Sequence, residues 1–117
     1  MEKQVLIGVA SEAAIRERTL AIASGKHKPS KKEPKIWFTS MKSVAEVLND
    51  KNLALLRMIA TQHPASVTEL AEASGRAVSN LSRTLKTLSQ YGIVELQKID
   101  KKRIRPVARY TRFLIAA

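Results

Sequence analysis

Between Arg76 and Gln90 the sequence sets long cations among short hydrogen-bonding side chains. Arg76, Ser79, Asn80, Arg83, Lys86, Thr87 and Gln90 stand there with no acid among them. At about 100° per residue these positions fall opposite Val78, Leu81, Leu85 and Leu88, which recur at spacings of three, four and three. A solvated helix face normally mixes charges of both signs, because acids and bases four residues apart stabilise one another. An acid-free face of guanidinium, amide and hydroxyl groups suits a polyanion instead, with cations for phosphates and hydrogen bonders for base edges.

A second cluster follows. Lys98, Lys101, Lys102, Arg103 and Arg105 crowd two short strand-like runs, Ile93–Lys98 and Arg103–Arg105, with Asp100 in the turn between them. Like charges this close repel one another, so the hairpin loses stability unless an anion neutralises it. A hairpin lying on a sugar-phosphate backbone is such an arrangement. A lysine-rich turn guarding a sheet edge is the plainer alternative.

Catalytic chemistry finds no footing. No glycine-rich phosphate loop, paired-acid motif or Ser-His-Asp set is visible, and Ser79 and Ser82 have no base near them in sequence. Cysteine is absent, so disulfides, thiolate catalysis and cysteine-held zinc are excluded. His27 and His63 stand beside Lys or Pro and out of ligand spacing with any carboxylate, as surface or turn residues do. The chain is therefore expected not to be an enzyme and to use neither metal nor cofactor. No run approaches the roughly 20 apolar residues of a membrane span, and Gln4–Ala10 is too short and weakly apolar for a secretory signal. A cytoplasmic protein without membrane contact is expected.

The elements that must hold these clusters can be read from caps and periodicity. The 117 residues, 44% of them apolar, suffice for one core built on Leu, Ile, Val and Ala. The net charge of +11 is segregated: residues 76–112 carry ten Lys or Arg against two acids, and residues 26–35 carry five Lys against Glu33. Val5–Val9 reads as a buried strand, and Ser11 caps a helix over 12–23 with Ile15, Thr19 and Ile22 on one stripe, stopped by Gly25. Residues 26–35, rich in Lys and Pro, read as an exposed linker, or as a basic arm lying on phosphates. Trp37 and Phe38 precede a short helix capped by Ser40, with Met41, Val44 and Leu48 inward, and Trp37 is expected to anchor the core. Asn49 or Asp50 caps the next helix, which carries Leu53, Leu56 and Ile59 and ends before Pro64.

Ser66-Val67-Thr68-Glu69 is a capping box opening a third helix. Ala71 within that helix lets a second helix cross closely, Gly75 frees the backbone at the turn, and Leu81 locks the second helix onto the first. These are the requirements of a helix-turn-helix, whose second helix enters the major groove. Pro106 places the return strand of the hairpin at an edge, and Phe113–Ala117 is an apolar tail that must pair or pack.

Thr68-Glu69-Leu70-Ala71, Ser74-Gly75-Arg76, Ser79-Asn80-Leu81-Ser82-Arg83, Leu85-Lys86-Thr87-Leu88 and Gly92-Ile93-Val94 together resemble the MarR-like winged-helix regulators. More closely, the chain resembles a group of small prokaryotic DNA-binding proteins with a short N-terminal strand-helix segment, through Phe38-Thr39-Ser40 and Leu53-Ala54-Leu55-Leu56. The likeness implies a homodimer binding double-stranded DNA, and in some of that group an antitoxin paired with a small toxin. The long flanking helices that form the MarR dimer base are absent here, so no ligand pocket is implied.

The expected fold is therefore mostly α, an α+β winged helix-turn-helix over 36–117, preceded by a strand-helix extension over 1–25 and a basic linker over 26–35. The expected function is sequence-specific binding of duplex DNA by a transcriptional repressor. Two alternatives use the same charges: an antitoxin whose main work is protein binding, and an RNA-binding winged helix.

Overall fold

A computed structural model describes residues 3–117; Met1 and Glu2, at the head of the expected extension, lie outside it. Along the chain run β1 (Gln4–Val9), α1 (Glu12–Ala23), β2 (Ile36–Phe38), α2 (Met41–Val47), α3 (Asp50–Gln62), α4 (Val67–Ser74), α5 (Val78–Gln90), β3 (Val94–Lys98), β4 (Ile104–Ala108) and β5 (Arg112–Ala116). The order α3, α4, α5, β3, β4 is that of a winged helix.

Four helices start at the side chains expected to cap them. Ser11, Ser40 and Ser66 each accept the amide three residues on at 3.1 Å, and Asn49 accepts that of Asn52 at 2.9 Å. Each bond satisfies an amide that the helix itself leaves without a partner. Glu69 completes the box one residue further out than expected, accepting from the Ala65 amide at 2.9 Å. Gly75 ends α4 at φ 72°, a conformation that a side chain disfavours. α5 starts at Val78 rather than Arg76, and its cap, Ala77, makes no side-chain bond.

Two sheets form. β3 and β4 pair antiparallel as the wing, with Leu96 opposite Pro106 and Gln97 opposite Arg105. β4 runs through Pro106 to Ala108, beyond the Arg103–Arg105 run read from sequence; with only one neighbouring strand it tolerates a missing amide. The other sheet has the order β2-β1-β5 and is wholly parallel. Ile36–Phe38, read from sequence only as a lead into α2, is thus a strand, with Gly8 opposite Trp37. The apolar tail pairs as β5, with Val5 opposite Phe113.

Alternation along these strands separates the two faces. Val5, Ile7, Ile36 and Phe38 turn toward the helices and are buried with Val44, Leu55, Leu56, Ile59, Leu70, Ala71, Leu81, Leu85, Leu88, Ile93 and Val94 in one core. Phe38 stacks on Tyr91, the residue closing α5, with ring centroids 4.2 Å apart and planes 11° apart. The β2-β1-β5 sheet is thereby fastened to the end of α5.

On the opposite face Trp37 covers Gly8. A Cβ added to Gly8 would lie 2.6 Å from Cε3 and 2.8 Å from Cη2 of that ring, so only glycine fits beneath it. The Arg18 guanidinium sits 5.1 Å from the ring centroid on a cation–π contact. α1 buries no residue fully; Ile15, Arg18, Ala21 and Ile22 are half-buried, while Thr19, expected on the inner stripe, is exposed and bonds the Ile15 carbonyl.

Residues 26–35 fold back on α1. The amides of Lys26 and His27 donate to the Ala21 carbonyl, and Lys35 donates to Leu6. Glu33 accepts from Arg18 at 2.7 Å and bonds His27 Nε2 at 2.9 Å. His27, a surface turn residue as expected, also joins Arg18 and Glu33 in a hydrogen-bonded cluster. The His27 hydrogen bond, then that of Arg18, holds the Glu33 carboxyl below its ordinary range.

Candidate nucleic-acid interface

α4 and α5 cross at the Gly75 turn, and α5 is held by Leu81, Leu85 and Leu88, each no more than 1% exposed. Each such leucine typically contributes about 2–5 kcal/mol relative to alanine. Val78, expected on this inner stripe, is instead 47% exposed. The inner face therefore begins at Leu81, and the first turn of α5 projects from the protein.

The opposite side of α5 presents Ser79, Asn80, Arg83 and Lys86, all exposed. Thr87 is half-buried, and its hydroxyl donates to the Arg83 carbonyl at 3.2 Å. Among the described residues no carboxylate lies within ion-pair distance of Arg83 or Lys86. An uncompensated cationic ridge on a rigid, leucine-locked helix has the geometry for a groove lined by phosphates.

Arg76 differs from its neighbours. It stands in the turn before α5, half-buried, with its guanidinium directed along the helix. Nε and Nη2 both donate to Asn80 Oδ1, at 3.1 and 2.9 Å. Nη2 also reaches Thr84 Oγ1 at 2.9 Å, and Nη1 reaches Asn52 Oδ1 at 3.5 Å. Asn52, buried at the start of α3, is itself fixed by donating Nδ2 to the Val47 carbonyl at 2.9 Å. Asn52 and Thr84 are partners that sequence reasoning missed. The spacing of Arg76, Asn80 and Thr84, one helical turn apart, carried a signal for one of them. These side chains line a cleft of about 300 Å³ with Lys51, Arg83 and one acid, Glu46.

The wing brings its five cations to the surface. Lys98, Lys101, Lys102, Arg103 and Arg105 are all exposed. Asp100 builds the tip, accepting the amides of Lys102 and Arg103 on Oδ1 at 2.9 Å and Arg103 Nε on Oδ2 at 2.8 Å. The Lys102 amide, followed by Arg103, holds the Asp100 carboxyl below its ordinary range. Arg103 is therefore partly neutralised. Arg105 is oriented across the ribbon by Gln97, whose Oε1 accepts from its Nε at 3.1 Å. Lys98, Lys101 and Lys102 make no ion pair among the described residues.

Among the described residues no cluster of His, Cys, Asp and Glu could hold a metal, and no helix is long and apolar enough to cross a membrane.

The sequence profile of the HVO_A0114 family matches residues 47–115, from the end of α2 through β5. No curated protein matches the chain. Among solved structures, the crystal structure of a predicted DNA-binding transcriptional regulator from E. coli is 18% identical over 79% of this chain and 82% of that chain, at a TM-score of 0.48.

Proposed function

This chain belongs to the HVO_A0114 family, and we propose that it is a non-catalytic, sequence-specific double-stranded DNA-binding regulator that represses transcription in the cytoplasm. One observation carries the reading. α5 exposes Ser79, Asn80, Arg83 and Lys86 on a face without acids, and the chain continues into a hairpin presenting five more cations. Hydrogen bonders among cations on a helix suit base edges and their flanking phosphates; cations on a hairpin suit the backbone alone. The same motif over 66–94 supports the finer, MarR-like reading.

The repressor acts as a homodimer in this proposal, because one winged helix reads only a short half-site. β5 is paired on one side only, by β1, and leaves Leu114 50% and Ile115 45% exposed. A second copy, joined about a twofold axis, covers that strip and sets two α5 helices side by side.

The decisive experiment is selection of bound sequences from a random duplex library at two salt concentrations, with light scattering on the same preparation. Enrichment of a two-part motif by a dimer is the expected result. A pool without enrichment overturns sequence-specific recognition. Equal retention of A-form RNA favours the RNA-binding alternative, and a monomer that binds a co-encoded small protein through β5 favours the antitoxin.

A further inference from the structure

Asn80 stands on the exposed side of α5, yet half of its hydrogen-bonding capacity is already used. A carboxamide oxygen has two lone pairs, and both face donors here: Nε and Nη2 of Arg76. An arginine only donates, so the orientation of the amide is fixed without ambiguity; the oxygen turns to Arg76 and the Nδ2 group turns away. Nδ2 makes no hydrogen bond among the described residues. Arg76 cannot easily leave, because Nη2 also donates to Thr84 and Nη1 reaches the buried, independently fixed Asn52.

We propose that Arg76 makes Asn80 a donor-only reader, so that α5 recognises the guanine edge and rejects adenine at the base pair facing Asn80. The proposal rests on the DNA-binding reading and names its specificity. An asparagine with both groups free pairs bidentately with adenine, giving its oxygen to N6 and its amide to N7. With the oxygen taken, that pairing leaves the adenine N6 donor without a partner. Guanine presents N7 and O6, two adjacent acceptors, to the same Nδ2 group. Thymine offers a single acceptor, and cytosine presents a donor that meets another donor.

Arg76 is a positioning residue in this scheme, and its removal changes the letter that is read. Arg76→Met keeps an unbranched apolar stem and frees Asn80 Oδ1. Library selection with the wild type, Arg76→Met and Asn80→Ala tests the idea, with thermal melts of each variant. The position at which Asn80→Ala loses discrimination identifies the base pair concerned. There the wild type is expected to prefer guanine over adenine, and Arg76→Met to reverse that preference by about tenfold, within the range of one bidentate contact.

The wild-type preference needs no variant other than the marker, so it decides the matter even if Arg76→Met fails to fold. A wild type that prefers adenine there overturns the proposal, as does a folded Arg76→Met with unchanged preference, and in both cases DNA binding still stands. Absence of any duplex binding by the wild type overturns the DNA-binding reading together with this one.

Discussion

Raising the salt concentration should weaken duplex binding by an amount that can be counted from the exposed cations. Arg76 is held by neutral partners and turned along the helix, and Arg103 is paired with Asp100. Arg83 and Lys86 on α5 remain for phosphates, with Lys98, Lys101, Lys102 and Arg105 on the wing. Each neutralised phosphate releases condensed counterions, at a slope of roughly −0.9 per contact, so these cations give about −5 for each bound protomer. Between about 50 and 200 mM salt, affinity per protomer then falls on the order of a thousandfold. Fluorescence anisotropy of a labelled duplex measures the slope directly. Lys101→Ala should make it shallower by about one while leaving base preference unchanged, because phosphate is the same in every sequence. A slope near zero, or one that Lys101→Ala does not move, would refute the assignment of these cations to phosphates.

Three further perturbations test the scaffold. Gly8→Ala drives a methyl into the Trp37 ring and should cost about 1–3 kcal/mol with a change in tryptophan emission; an unaltered melt and spectrum would show that the ring yields freely. Leu81→Ala empties a fully buried position on the inner face of α5 and should cost about 2–5 kcal/mol by denaturant unfolding, so a loss below about 1 kcal/mol would mean that α5 is not locked there. Asp100, whose folded pKa lies below its unfolded value of about 4, should order the wing tip fully above that pH and lose hold as pH falls through the depressed value. Amide signals of Lys102 and Arg103 followed by NMR should stay constant from neutral pH to about 5 and move only in acid; a transition near neutrality would point to another group.

Much of the winged helix was legible because its signals are local. A serine or asparagine cap, a glycine at the α4–α5 turn and leucines at helical spacing act within a few residues, and α2 through α5 follow them. The β2-β1-β5 sheet was not legible as a sheet. Ile36-Trp37-Phe38 is too short for periodicity to distinguish a strand from a helix lead-in, and its partner lies beyond α1. The apolar tail announced only that it needed cover, with nothing local to say that β1 supplies it. Val78 misleads because an apolar residue at helical spacing reads as core, although the first turn of α5 projects from the body. Charge and spacing group Arg76 with the exposed side chains of α5, while the position of Asn52, on a different helix, decides where its guanidinium goes. His27 likewise depends on Glu33 and Arg18, which come together only when the loop folds back on α1.

The pairing of β1 with β5 also governs the order in which this protein can fold. Gln4 lies opposite Arg112, so that ladder closes a loop spanning nearly the whole described chain, whereas α4, α5 and the wing meet across short stretches. Loop closure opposes distant pairing before any contact rewards it, and chains dominated by such pairings fold more slowly. α5 and the wing should therefore reach native form first, while β1 waits with its edge open for β5. During synthesis that interval lasts until β5 has left the ribosome, and an unpaired apolar edge is then a surface on which two nascent chains can exchange strands.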